Sequence, residues 1–152
     1  MFGIFKKSKI KNVESQKMKE ELEELTKTKK SIITLRKLYD ELQEEKIKEE
    51  IKEIIRINEK IYKEVSKDSS KVIKIYNYNK YYTPTLIRVI KQYIELKNKR
   101  ISTLDAKKLF IKIEVFTSKI KSSLEKLYQS LFDDQILDID AEIKVMIEEM
   151  KI

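Results

Sequence analysis

From about Ser15, apolar residues fall where one face of an α-helix would place them. Met18, Leu22, Leu25, Ile32, Leu35, Tyr39 and Leu42 succeed one another at steps of three, four and seven. Lys29 interrupts this stripe, so this part is expected to project or to pack loosely. A second stripe runs through Ile47, Ile51, Ile54, Asn58, Ile61 and Val65 at steps of 4, 3, 4, 3 and 4, the spacing of a coiled-coil seam with one polar member. Asn58 there either sets register with a neighbour or sits half-exposed at an edge. A break between the two stripes is expected near residues 41–45, which would make the first two helices a long hairpin.

Lys67-Asp68-Ser69-Ser70 is the first clear loop, with Ser69 or Ser70 capping the next helix. Pro84 suits the first turn of a helix running to about Asn98, and it pushes Thr83 out of the α region. Leu86, Ile87, Val89, Ile90, Tyr93, Ile94 and Ile101 give that helix a wide apolar face, and it is expected to be the most buried. Ser102 or Thr103 opens a long helix whose inner side carries Ala106, Leu109, Phe110, Ile113, Phe116, Ile120, Leu124, Leu127 and Leu131. Phe132 to Gln135 ends it. Asp138 then caps a last helix bearing Ile139, Ile143, Val145, Met146, Ile147 and Met150. These elements predict an all-α fold, an antiparallel bundle of four to five helices with a long N-terminal helical hairpin. The third to fifth helices are expected to form its compact part. Residues 1–14 read as a flexible basic and apolar segment, and residues 15–152 as one helical domain.

Composition narrows the chemistry. The 152 residues contain one Gly and one Pro, against roughly 10 and 8 at average usage. Sheets and Gly-rich phosphate loops therefore lack their turn residues. Without cysteine or histidine, there are no disulfides, thiol or imidazole catalysts, or imidazole and thiolate metal ligands. No apolar run approaches the roughly 18 to 20 residues of a membrane span, and no secretory signal is evident, so the expected location is cytoplasmic.

The net charge of +8 is uneven. Residues 1–40 carry +5, 41–70 carry −2, 71–112 carry +9 and 113–152 carry −4. Pairing of oppositely charged helices inside the bundle is the simpler use of this map, and an anionic partner the competing one. At the start of the chain, Phe2, Ile4, Phe5 and Ile10 alternate with Lys6, Lys7, Lys9 and Lys11. Phe2, Ile4, Phe5, Lys6 and Lys7 are candidate contacts to an anionic membrane surface, which would place the protein at the inner face of the membrane. Such contact would be weak unless a homo-oligomer multiplies it.

Five tyrosines, Tyr76, Tyr78, Tyr81, Tyr82 and Tyr93, lie within the basic block and could stack on single-stranded nucleic acid. Packing in the core is the commoner use, nothing resembles a recognition helix or an RNA-binding signature, and nucleic acid is not the expected partner. Asp133, Asp134, Asp138, Asp140 and Glu142 could hold magnesium. Acids in a helix's first turn are also what its dipole favours, and this structural use is the expected one. No catalytic residue, metal ligand set or cofactor is assigned.

Two stretches carry a family resemblance. Tyr81-Tyr82-Thr83-Pro84-Thr85-Leu86, succeeded by Tyr93-Ile94-Glu95-Leu96, resembles the "YYLPT…Y..L" element of the 5-bromo-4-chloroindolyl phosphate hydrolysis family, the XpaC-like proteins. Leu137-Asp138-Ile139-Asp140-Ala141-Glu142-Ile143 resembles that family's closing "D.DAEI" element. Thr83 stands where the family pattern has Leu. The resemblance marks Tyr81, Tyr82, Pro84, Thr85, Leu86, Tyr93, Asp138, Asp140 and Glu142 as family-motif positions. It implies a helical protein linked by name to phosphate-ester hydrolysis and by association to toxic-anion resistance, with a TelA-like toxic-anion-resistance protein as partner. Three functions are expected from these features. The first is a non-enzymatic interaction protein acting with that partner in anion resistance or envelope stress. The second is a hydrolase using magnesium-bound carboxylates, and the third is a peripheral membrane scaffold anchored by residues 1–11.

Overall fold

A computed structural model describes the backbone of residues 2–151 and the side chains of residues 11–151. Among these residues there is no strand. Helix α1 spans Phe2–Glu41, α2 Glu45–Lys67, α3 Thr83–Asn98, α4 Leu104–Ser130 and α5 Asp133–Met150. A 3-10 segment, Ser69–Ile75, and a π-helical turn, Tyr78–Tyr82, connect α2 to α3. The set of helices and the break after residue 41 agree with the periodicity. The first helix does not wait for Ser15, because between Gly3 and Pro84 no Gly or Pro interrupts the chain.

Helix α2 lies at the centre, against both α1 and α4. Its buried residues are Ile47, Ile51, Ile54, Ile55, Ile57, Asn58, Ile61 and Val65. At 100° per residue they cover an arc of about 160°, wide enough for two neighbours rather than one. The expectation that α3 would be the most buried helix, and that the third to fifth helices would be the compact part, is therefore corrected. Helix α3 packs one flank, through Leu86, Ile90, Tyr93 and Ile94, while Ile101 is exposed. Asn58 is neither a pairing residue nor an edge residue. It is buried, and its Nδ2 donates to the Ile54 carbonyl one turn back at 3.0 Å.

The inner stripe of α1 also differs. Met18 and Leu22 are exposed, and the face turned to the bundle begins with Glu24 and Thr28 before Ile32, Leu35, Leu38 and Leu42. On α4 the seam runs through Ala106, Phe110, Ile113, Thr117, Ile120 and Leu124. Thr117 fills the step assigned to Phe116, and its hydroxyl donates to the Ile113 carbonyl at 2.8 Å, so burial leaves no donor unpaired. Leu109, expected inside, is exposed.

The helix ends are set by specific caps. Asp68, rather than Ser69 or Ser70, opens the 3-10 segment by accepting from the Ser70 amide at 3.1 Å. Thr103 caps α4, its Oγ1 accepting from the Ala106 amide at 3.1 Å. Helix α3 closes with Arg100 N donating to Lys97 O at 3.0 Å and Ile101 N to Leu96 O at 3.2 Å. That pair of bonds requires a left-handed residue between them, and Arg100 takes it with φ of 55° where glycine is usual. Helix α5 starts at Asp133, with Asp133 and Asp134 in its first turn, so Asp138 is a mid-helix residue and not a cap.

Ile54→Ala, at a site with no exposure, is expected to cost about 2–5 kcal/mol in chemical denaturation, whereas Met18→Ala should stay within about 0.5 kcal/mol. Arg100→Gly should raise stability by about 0.5–1 kcal/mol in the same experiment, because it relieves the left-handed turn.

Candidate functional site

The Tyr81 to Leu86 element lies where the π-helical turn runs into α3. Thr83 keeps α-helical angles, φ −66° and ψ −44°, contrary to the expected pre-proline restriction. The wider turn explains how. The Thr83 amide reaches back five residues to the Tyr78 carbonyl, so the ladder is already re-spaced where Pro84 brings no donor and a bulky ring. The Thr85 hydroxyl donates to the Tyr81 carbonyl at 2.7 Å. Leu86 is fully buried, Thr83 is buried, and Tyr81 and Tyr82 remain exposed.

The tyrosines divide between surface and core. Tyr76, Tyr81 and Tyr82 are exposed, and Lys80 Nζ lies 5.5 and 5.2 Å from the Tyr76 and Tyr81 ring centres. Hydrogen bonds to the hydroxyls of Tyr81 and Tyr76 hold the Lys80 ammonium above its ordinary pKa. Tyr78 is half-buried with its ring 4.8 Å from that of Tyr82. Tyr93 has no exposure at all, meets Phe110 edge-on at 5.4 Å, and its hydroxyl has no partner. Burial first, then the charges of Glu44 and Glu114, push the Tyr93 phenol well above its ordinary pKa, so it stays neutral.

The acidic motif is placed quite differently. Every residue of α5 is exposed, Asp138, Asp140 and Glu142 included. Asp138 and Asp140 are two positions apart on a helix and point about 160° away from each other. Asp140 pairs locally with Lys144 at 2.9 Å, and Asp133 lies 3.9 Å from Lys74. Among the described residues no three acidic side chains gather as a metal site would require. No hydrogen bond or ion pair between described residues joins this motif to Tyr81–Tyr93. The membrane candidates Phe2, Ile4, Phe5, Lys6 and Lys7 lie outside the residues whose side chains are described. No helix among the described residues is long and apolar enough to cross a membrane.

Two features escape the hydrophobic pattern. One is a polar clamp between α1 and the π-helical turn. Asn79 Nδ2 donates to the Glu24 carbonyl at 3.0 Å and to its carboxylate at 2.9 Å, and Thr28 Oγ1 donates to Asn79 Oδ1 at 3.1 Å. Lys27 Nζ, 3.0 Å from the Glu24 carboxylate, supplies the countercharge. The other is a groove of about 420 Å³ between α3 and α4. Val89, Leu109, Ile113 and Phe116 give it an apolar lining, with Thr85, Arg88, Gln92 and Lys112 beside them. The available signal was the width of the apolar faces of α3 and α4, larger than one contact consumes.

The charge map also resolves. Arg36 of α1 pairs with Glu59 and Lys121 of α4 lies 3.0 Å from Glu50, so carboxylates of α2 meet cations of both neighbours, while Lys46 of α2 lies 3.8 Å from Glu114 of α4. The Glu50 carboxylate, by hydrogen bonding, raises the Lys121 pKa. In the most basic block only Lys71, Lys74 and Lys99 find carboxylates among the described residues. Arg88, Lys91 and Lys112 do not.

Residues 2–146 match the family model described as 5-bromo-4-chloroindolyl phosphate hydrolysis protein. The comparisons with curated proteins and with solved structures found no match.

Tyr93→Phe deletes a hydroxyl that has lost water and gained no partner, so at pH 7 stability should hold or rise by on the order of 1 kcal/mol. In the parent, the phenol ionises in the unfolded chain near its ordinary 10.0 and only at higher pH in the fold. Its contribution is thus complete below pH 10 and is lost as pH rises further. Denaturation series across that range should show a shallower alkaline loss for the Phe variant than for the parent.

Proposed function

This chain belongs to the 5-bromo-4-chloroindolyl phosphate hydrolysis protein family, and from that premise we propose that it is a non-enzymatic helical interaction protein. Its partner on this reading is a TelA-like toxic-anion-resistance protein, and its role lies in anion resistance or envelope stress. The observation that supports the reading is α5. A helix of 18 residues carries the family's acidic motif and stands fully exposed with Ile136, Ile139, Ile143, Met146 and Met150 along it. Exposed apolar patches of this kind serve contact with another surface. The placement of the polar groups points the same way. Nucleophilic catalysis needs a nucleophile and a base within hydrogen-bond reach, and the Tyr93 hydroxyl, fully buried, is neutral and enclosed by core.

The family's printed description favours a second reading, hydrolysis of a phosphate ester by magnesium-bound carboxylates of α5. The exposed, divergent Asp138 and Asp140 give that reading little to build on.

One experiment addresses both. Purified full-length chain is mixed with a TelA-like protein at low and high salt, and association is followed by light scattering; binding that weakens with salt is expected. The same preparation with magnesium and a chromogenic phosphate should show no turnover above buffer. Turnover abolished by Asp138→Ala would replace the interaction reading with the hydrolase.

A further inference from the structure

The exit of α5 from the bundle is firmly fixed. Leu131 is buried, and the Phe132 ring meets Tyr128 edge-on at 5.3 Å with Lys71 Nζ 4.6 Å from its centre. Lys74 donates to the Ser130 carbonyl and faces Asp133 at 3.9 Å. Only two residues, Leu131 and Phe132, connect α4 to α5. A helix held in this way stands off its own bundle, and all of it is exposed. None of the described residues of its own bundle covers its apolar face.

The pattern on α5 defines a cover that would fit. Ile136, Ile139, Ile143, Met146 and Met150 recur at steps of 3, 4, 3 and 4, within an arc of about 80°. Asp140 borders this stripe on one side and Glu142 on the other. The helix as a whole carries seven acids and one lysine. Two copies of α5 laid together would bring those acids into mutual repulsion. The complement is an apolar groove edged by unpaired cations. The chain has one in the α3–α4 groove, lined by Val89, Leu109 and Phe116 together with Arg88 and Lys112.

We propose that α5 of one copy docks through Ile139, Ile143 and Met146 into the α3–α4 groove of a second copy, where Asp140 and Glu142 meet Arg88 and Lys112. Exchange in both directions gives a closed two-fold dimer in which each acidic arm neutralises part of the partner's most basic block. The association uses only surfaces of this chain. Its failure leaves the reading with a TelA-like partner standing, and failure of that reading leaves this one.

Sedimentation of the full chain over a range of concentrations, at about 50 and 500 mM salt, should show a dimer that dissociates more readily at high salt. Ile143→Asp on the arm, and Arg88→Glu with Lys112→Glu in the groove, should each weaken self-association about tenfold or more. Ile143, Lys112 and Arg88 are exposed, and helical circular dichroism should be unchanged. Mixing the two variants pairs an intact arm with an intact groove and should restore a heterodimer that neither forms alone. A chain that is monomeric at every concentration overturns the proposal. So does a dimer that survives the groove substitutions, since that dimer would be held by some other face.

Discussion

Everything in the bundle is arranged about the isoleucine-rich face of α2, because that face is too wide for one neighbour to cover. With Ile55 and Ile57 added to the seam of Ile47, Ile51, Ile54 and Ile61, the buried arc reaches both α1 and α4. Each of those helices then needs only a narrow seam of its own. The α4 seam runs Ala106, Phe110, Ile113, Thr117, Ile120, Leu124, one residue per turn. The polar sides of α2 obey the same geometry. Glu50 near one margin of the apolar arc and Glu59 beyond the other meet Lys121 of α4 and Arg36 of α1. Such partly exposed pairs add little to stability but discriminate among packing orders.

The end of the bundle near the π-helical turn obeys a different rule. There α1 leaves the apolar core and its inward positions become Glu24 and Thr28, which no hydrophobic neighbour could cover without penalty. Asn79 answers both, with its amide on Glu24 and its oxygen taking the Thr28 hydroxyl. The turn that presents Asn79 is also the turn that absorbs Pro84. A single re-spaced stretch of backbone thus lets α3 begin at Thr83 and aims a polar residue at α1. The Tyr81 to Leu86 stretch is in this chain a matter of architecture: Leu86 enters the core, Tyr93 joins it two turns on, and the re-spaced turn fixes their direction.

Much of this is legible from spacing alone. The α2 seam, the break after residue 41, the span of α3 and the Thr103 cap all arise from hydrophobic period and capping chemistry acting locally. Spacing misleads where tertiary context decides. A hydrophobic scan discards Glu24, Thr28 and Thr117 from an inner face, because their burial depends on a partner such as Asn79, 55 residues away from Glu24, or on a bond to their own helix. The π-helical turn has no signal apart from Pro84 itself. Asp138 has the look of a cap because apolar residues resume after it. The short turn at Leu131 and Phe132, closed by two 3.1 Å backbone bonds, allows α5 to start six residues earlier.

The placement of α5 is the least legible feature, and the reason is physical. Its apolar stripe has the same spacing as the stripes of α2 and α4, so the sequence offers no ground for leaving it outside. What differs is charge. Helix α2 also bears many carboxylates, but cations of α1, α4 and the 3-10 segment reach them, whereas α5 finds, among the described residues, only Lys74 beyond its own turn. The cations that would match α5 are those left unpaired along α3 and the first half of α4. A helix that cannot lie against itself without repulsion, and whose complement lies on a face it does not touch, carries its unbalanced charge and its apolar stripe outward together. In the proposed dimer, the acidic arm of one copy would then offset part of the +9 that residues 71–112 of the other carry.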